Sequence, residues 1–178
     1  AAMRVVLMKV RIIDGTGRPP LEGAFLAIEG GLIEAVGRAS EFCAREGDTI
    51  HELDGLTVLP GLFDAHVHIY ASGSVERLSE TPPENMDGLE QLQAASHLRA
   101  HIEAGFTTVR DVGSVNGSMW ALRYAVRQGL IPGPRLVASG KCLTVTGGHG
   151  TEYGVDMAWE CDDAGDLVKA VRRQQHEE

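Results

Sequence analysis

The sequence predicts an α/β fold in two parts, and three observations lead to this prediction. The first 59 residues contain only strand and turn patterns. After Pro60 the pattern changes to alternating strands and helices, which is typical of a parallel sheet or an α/β barrel. The Pro60-Gly61 pair separates the two parts, and such a pair marks a boundary in the chain. We therefore predict one domain over residues 1–59 and another over residues 60–178.

The amino-terminal part is predicted to form a small β domain. The segments RVVLMKVRII, AFLAIEGGLIEAVG and HELDGLTVLP are apolar and strand-like. In the second segment, Gly30-Gly31 separates two short apolar runs, from Phe25 to Ile28 and from Leu32 to Val36. This spacing predicts a β-hairpin with a two-residue turn.

The carboxyl-terminal part is predicted to contain three strand-helix units. The first pairs a buried strand, GLFDAHVHI, with a helix, GLEQLQAASHLRAHIEAG, that Gly105 ends. The apolar residues that we place broadly on one side of this helix are Leu89, Leu92, Ala95 and Ile102. The strand FTTVRDVG and the helix SMWALRYAVRQG, ended by Gly129, form the second unit. The strand RLVASG and the helix DDAGDLVKAVRRQQHEE, whose first residues are acidic, form the third.

Three such units cannot close an eight-stranded barrel, which typically takes about 250 residues. The last helix also runs to Glu178 without a glycine or proline that would end it. We therefore expect the chain to be the amino-terminal portion of a longer protein.

Composition excludes several classes of function. The net charge of −9, with a pI near 5.2 and no basic cluster, argues against nucleic acid as a partner, because phosphate binding needs clustered Lys and Arg. Cys43, Cys142 and Cys161 are odd in number and never form a Cys-x-x-Cys pair, so neither a disulfide framework nor a thiolate zinc site is indicated. Charges interrupt the first apolar run, so no export signal is predicted there. No uncharged run reaches the roughly 20 residues of a membrane helix. We expect a cytoplasmic protein without a membrane partner.

A His-x-His pair ends the first strand of the second part. Because side chains alternate along a strand, Asp64, His66 and His68 are expected to point the same way, with the two histidine Cα atoms about 6.6 Å apart. Two imidazoles at this separation can bind one zinc ion. The alternative interpretation is a pair of hydrogen-bonded core histidines, since a short motif alone has false positives.

The segment LPGLFDAHVH after a β-rich leader resembles the opening of the amidohydrolase superfamily, whose first barrel strand ends in His-x-His. The resemblance continues through AGFTTVRDVGS, GPRLVASG and TGGHG and so covers nearly the whole chain. It is greatest to the branch of imidazolonepropionase-like enzymes and zinc-dependent Xaa-Pro dipeptidases and carboxypeptidases. The fold that this implies is a (β/α)8 TIM-like barrel, with its first three βα units here, and a small β-sandwich domain at the amino terminus.

The resemblance also implies a metal site. One or two divalent metal ions are expected, most simply zinc, and His66 and His68 would be ligands of the more buried ion. A bridging carboxylated lysine, the other ligands and the catalytic aspartate would lie beyond Glu178. Lys141 and Lys169 are not candidates for that lysine, since Lys141 follows the third strand and Lys169 lies in the terminal helix.

Three further residues are candidates for the site. His149 in TGGHG is expected, by the same resemblance, to contact a carboxylate of the substrate. The alternative is a flexible glycine loop that carries a solvated imidazole. Asp111, at the end of the second strand, is a candidate to orient an imidazole, to pair with Arg110 or to cap the next helix. Asp64 is a candidate for the same orienting role.

The remaining histidines are interpreted as surface residues. His97 and His101 form an i, i+4 pair, but the glutamate that zinc peptidases place after the first histidine is replaced here by Leu98. An outer, solvated helix face is therefore expected for this pair. His51 and His176 have no neighbouring partner in the sequence.

The implied reaction is hydrolysis of a C–N bond by a metal-activated water, in a dipeptide or an N-acyl amino acid with a free carboxylate. The alternatives are hydrolysis of a cyclic amide such as imidazolonepropionate, an inactive relative that serves as an assembly module, and a plain α/β binding protein. A homo-oligomer is expected from the superfamily.

Overall fold

The computed structural model describes residues 3–71, 73, 88–114, 118–152 and 157–177. The chain divides into two units, Ala1–Pro60 and Gly61–Glu178. The division falls within the Pro-Gly pair that the sequence analysis used as a boundary.

The first unit is a mixed sheet of five strands. They are β1 (Val5–Ile12), β2 (Leu21–Glu29), β3 (Leu32–Arg38), β4 (Thr49–Glu52) and β5 (Thr57–Val58), with a short 3-10 helix at Ala39–Glu41 after β3. The order is β3-β2-β1-β4, and β5 also pairs with β1. The β2 strand is antiparallel to β1 and β3, whereas β4 and β5 run parallel to β1.

The hairpin predicted around Gly30-Gly31 is confirmed, since β2 ends and β3 begins on either side of the pair. Both glycines have positive φ, 59° and 80°. A two-residue turn with positive φ at both positions matches the twist of the strands that it joins. Residues with a Cβ are strained there, which explains the two glycines.

Apolar side chains are buried on both faces of this sheet. Ala24–Ala27 on β2 are all buried, so successive residues of one strand enter opposite clusters. One cluster contains Val6, Met8, Phe25 and Ala27, and the other contains Val10, Ile12, Ala24 and Leu26. In the described residues this unit forms one sheet, and the β-sandwich remains a prediction.

The second unit contains the remaining elements. They are β6 (Leu62–Val67), α1 (Leu89–Glu103), β7 (Phe106–Asp111), α2 (Ser118–Arg127), β8 (Arg135–Ala138), β9 (Cys142–Thr144), β10 (Ala158–Glu160) and α3 (Ala164–Glu177). Strands β6, β7 and β8 are parallel and adjacent in chain order. This confirms the α/β class, and the order is that of consecutive units in an α/β barrel; closure by eight strands remains a prediction.

The predicted apolar face of α1 was partly wrong. Leu92 is 71% exposed, whereas Ala94 and Leu98 are fully buried. These two residues join a core with Val109 of β7 and Leu122 of α2. Apolar residues occur all around α1, so the periodicity did not select one face, and packing against β7 and α2 did.

Two other expectations about the second unit need correction. The strand predicted to be buried is largely exposed: β6 lies at the edge of its sheet in the described part of the chain, and Phe63 is 72% exposed. The parallel pair β9 and β10, which flanks the glycine-rich loop of TGGHG, was not predicted from the sequence. Each of these strands has only three residues, too few for a recognisable alternation.

Among the described helices, none combines the length and the apolar character that crossing a bilayer would require.

Candidate functional site

The three parallel strands end at a common edge. Val67 of β6 lies opposite Asp111 of β7, which lies opposite Ala138 of β8. Backbone hydrogen bonds continue past these positions, from Val112 N to Val67 O and from Ser139 N to Asp111 O. In parallel α/β folds this carboxyl-terminal edge is where active sites are built.

His66 and His68 lie at this edge with their rings next to each other. The ring centroids are 5.4 Å apart and the ring planes meet at 76°. Two imidazoles bound to one tetrahedral zinc ion, with Zn–N bonds of about 2.0 to 2.1 Å, would have centroids about 5 Å apart. The observed separation therefore fits two ligands of one ion.

The hydrogen bonding of His68 determines its tautomer. Its Nδ1 lies 2.9 Å from the carbonyl oxygen of Gly113. A carbonyl oxygen only accepts, so Nδ1 carries the proton, and in the neutral ring Nε2 keeps its lone pair. Histidines that bind metals through Nε2 typically donate Nδ1–H to a carbonyl or carboxylate in this way. His68 thus has the chemistry of a metal ligand.

Asp111 is fully buried at the end of β7. Its Oδ2 accepts the backbone N–H of Ile69 at 2.8 Å, and its Oδ1 accepts that of Gly113 at 3.1 Å. Burial raises the pKa of Asp111, while these two bonds and the nearby His68 act in the opposite direction. Of the alternatives considered from the sequence, pairing with Arg110 is wrong, since Arg110 donates to Ala65 O. Among the described residues, no imidazole donates to Asp111; the donors to its two oxygens are backbone N–H groups.

Asp64 contacts the backbone of His66 rather than its ring. Its Oδ1 accepts the His66 N–H at 3.1 Å. From Asp64 to Val67, β6 advances three residues while the facing part of β7 advances two, from Val109 to Asp111. An extra residue of this kind is a bulge, which redirects side chains. Asp64 therefore lies at the bulge where His66 leaves the regular strand.

His149 lies in the loop between β9 and β10 with its side chain 79% exposed. Its Nδ1 is 2.8 Å from Glu152 Oε1, and Glu152 Oε2 accepts the N–H of Gly150. The backbone N–H of Glu152 itself, then that of Gly150 and the His149 ring, hold the pKa of Glu152 below its usual value. Glu152 was not identified from the sequence, although an acidic residue three positions after a loop histidine was an available signal.

The surface interpretation of His97 and His101 was wrong, because both are half-buried. His97 Nδ1–H donates to Ile69 O at 2.7 Å, next to the candidate site. His101 Nδ1–H donates to His97 O, and its ring packs edge-on against Phe106. The main-chain partner of His97 belongs to a distant segment, so the sequence held no signal for it.

The other residues considered from the sequence are placed as follows. His51 is exposed, as expected, and the side chain of His176 lies outside the described residues. The Lys141 ammonium lies over the Trp159 ring, 5.5 Å from its centroid. The cysteines Cys43, Cys142 and Cys161 are free thiols.

Within the part of the chain that the structure describes, no group of three His, Cys, Asp or Glu side chains is arranged to hold a metal ion. The predicted ligands His66 and His68 are thus a pair without a third such side chain among these residues, and their metal-binding role stays a prediction.

Comparison with known proteins gives the family. Residues 57–178 match the model of the amidohydrolase family. Ochratoxinase from Aspergillus niger is 29% identical over 148 residues, which are 78% of this chain and 28% of that protein. Imidazolonepropionase from Rhodococcus jostii is 31% identical over 109 residues, 50% of this chain and 26% of that protein.

A solved structure is similar over nearly the whole chain. The crystal structure of a Xaa-Pro dipeptidase with bound methionine in the active site has a TM-score of 0.80 and 27% identity, over 98% of this chain and 45% of that one. The chain thus spans less than half the length of each of these relatives. The family expected from the motif LPGLFDAHVH is confirmed: the chain belongs to the amidohydrolase family.

Proposed function

We propose that this chain supplies two ligands to a divalent-metal centre in a hydrolase that cleaves a C–N bond of a dipeptide or an N-acyl amino acid. The observation that carries the proposal is the bond from His68 Nδ1–H to Gly113 O, which keeps the Nε2 lone pair for a metal. Members of the family generally bind divalent metals. A metal bound there supplies a Lewis acid that lowers the pKa of water to about 7 and polarises a carbonyl group.

Zinc is the metal that we propose for this centre. Neutral imidazole is a common zinc ligand, and catalytic zinc sites combine few protein ligands with an open position. Imidazole also accepts other first-row metals, so the metal analysis below measures several elements at once.

The substrate proposed is one with a free carboxylate near His149. The loop that carries His149 follows β9, and Glu152 holds the ring by one nitrogen. Similarity to a Xaa-Pro dipeptidase supports a dipeptide. The second candidate, a cyclic amide, is supported by the match to imidazolonepropionase over half of the chain.

The proposal is tested by metal content and hydrolysis of the full-length protein. We expect the wild type to contain bound divalent metal and the variant His66→Ala/His68→Ala to lose both metal and hydrolysis, because both proposed imidazole ligands are removed. Metal is measured by inductively coupled plasma spectrometry, beside a screen of X-Pro and X-Arg dipeptides, N-acyl amino acids and imidazolonepropionate. His51→Ala, an exposed histidine of β4, is the matched control and should retain both properties.

The outcomes separate the candidates. Unchanged metal content in the double variant would show that the histidines are structural and overturn the proposal. Bound metal without hydrolysis of any compound would favour the inactive relative. Preference for imidazolonepropionate over the open-chain substrates would favour the cyclic-amide activity.

His149→Gln is expected to raise KM for an open-chain dipeptide by about 10- to 100-fold, with a smaller change in kcat. A hydrogen bond to a charged group contributes about 1.5 to 3 kcal/mol, and this bond would be made equally in the ground and transition states. The measurement compares each dipeptide with its carboxamide, which lacks the charge. The variant should affect the two about equally if His149 has no contact with the carboxylate, and that result would contradict the prediction.

A further inference from the structure

We infer that Asp111 is a positioning residue for His68, and that it acts through the backbone of Ile69 and Gly113 rather than by touching the imidazole. The inference rests on the proposed function, since His68 is a metal ligand only under that proposal. It assigns a role to a buried carboxylate, a glycine and a helix histidine that the reaction does not itself use.

Hydrogen bonds link Asp111 to His68 through the backbone. One carboxylate oxygen accepts the N–H of Ile69 at 2.8 Å, directly after His68 in the chain. The other oxygen accepts the N–H of Gly113 at 3.1 Å. The carbonyl of Gly113 in turn accepts His68 Nδ1–H at 2.9 Å. Asp111 thus fixes both the chain that carries the imidazole and the backbone that orients it.

The space around Gly113 has no room for a side chain. A Cβ added to this residue would lie 2.3 Å from Cys142 Sγ, 3.3 Å from His68 Cε1 and 3.4 Å from His68 Nδ1. Only a residue without a side chain can bring its backbone this close to both neighbours. The contact between Gly113 and His68 therefore depends on glycine at this position.

His97 on α1 also holds the backbone next to His68. Its Nδ1–H donates to Ile69 O at 2.7 Å, so the backbone of Ile69 is held by Asp111 at its N–H and by His97 at its carbonyl. The Ile69 side chain is itself buried in the core with Leu98. The residue next to His68 is consequently held by two polar side chains and by packing.

Burial of the Asp111 carboxylate costs free energy. A carboxylate with no exposed surface loses its hydration, and two neutral N–H donors replace only part of it. Core packing alone does not require such a group, since apolar residues of similar volume are often as good or better. Orientation of a metal ligand from outside the ligand set is a role that explains a buried carboxylate at this place.

The test measures the tautomer of His68 and the metal affinity in the full-length protein. In the metal-depleted wild type, two-bond ¹H–¹⁵N NMR correlations should show His68 protonated at Nδ1, with the resonance assigned by His68→Gln. In Asp111→Asn, one acceptor oxygen becomes an NH₂ donor facing a backbone N–H. We expect a second His68 tautomer and a Co²⁺ affinity lower by about 10- to 100-fold.

Leu122→Ala is the matched control for loss of stability. Leu122 is buried in the same core as Ile69, and its side chain makes no hydrogen bond. This variant should keep the His68 tautomer and the Co²⁺ affinity. Equal changes in both variants, or an unchanged tautomer and affinity in Asp111→Asn, would overturn the inference. Because the tautomer is measured without metal, failure of the proposed metal site is recognised separately.

A second variant keeps the test available if Asp111→Asn does not fold. Gly113→Ala combined with Cys142→Ala removes the sulfur that the new Cβ would meet and leaves its close contact with the His68 ring. We expect a shifted His68 resonance and weaker Co²⁺ binding than in Cys142→Ala alone. Identical spectra and affinities for these two variants would contradict the role of Gly113.

Discussion

Replacing Leu98 with alanine is expected to lower the free energy of unfolding by about 2 to 5 kcal/mol, the usual cost of a large-to-small change in a packed core. Leu98 has no exposed surface and contacts the core formed by α1, β7 and α2. Its removal loses apolar burial and leaves a cavity in this core. The matched control on the same helix is Leu92→Ala, which removes a side chain that is 71% exposed.

Urea unfolding of the two variants, followed by circular dichroism, measures this difference. We expect Leu92→Ala to remain within about 0.5 kcal/mol of the wild type, as surface substitutions usually do. Equal losses for the two variants would contradict the structure, in which Leu98 is fully buried and Leu92 is largely exposed.

Gly61→Ala is expected to destabilise the second unit by about 1 to 3 kcal/mol or more, the cost of overpacking without space to relax. A Cβ at Gly61 would lie 1.9 Å from Thr107 Oγ1 and 2.5 Å from Thr107 Cβ. In the register, Leu62 pairs with Phe106 and Phe63 with Thr108, so Thr107 is an extra residue of β7 without a partner on β6. Its side chain lies against Gly61. Rotation of the threonine cannot remove an overlap with its own Cβ.

A compensating change tests the cause. Thr107 is exposed, so Thr107→Gly alone should cost only about 1 kcal/mol, from lost strand propensity. In the double variant the new methyl group occupies the vacated space, and we expect it to be more stable than Gly61→Ala alone. The measurement is a double-mutant cycle of unfolding free energies. Additive losses in the two single variants would show that the two residues do not interact.

Much of the fold was predictable because local chemistry determines it. The Gly30-Gly31 pair specified a turn, and Gly105 and Gly129 lie at the ends of α1 and α2 with the left-handed φ expected there. The packed face of α1 was not predictable, because Leu92 and Leu98 have the same hydrophobicity and only tertiary contacts distinguish them.

The candidate site was also only partly predictable from the sequence. His66 and His68 form a short motif with fixed spacing, so they were found from the sequence, and their adjacent rings support one shared ion. Asp111 was also named from the sequence, but the partners of the supporting imidazole N–H groups were missed because these acceptors are main-chain atoms. The carbonyls of Gly113 and Ile69 bind His68 and His97, and a carbonyl has no signature in a sequence. The one available signal was the glycine in VRDVG.

The loop of His149 is held mainly by downstream acidic residues. Thr146 binds Asp162, Gly147 N–H donates to Glu160, and Gly150 N–H donates to Glu152. Exchanging only TGGHG with a relative would therefore separate the glycines from the carboxylates that shape them. Engineering of this loop must therefore transfer residues 144–163 as one unit, in which β10 accompanies the histidine.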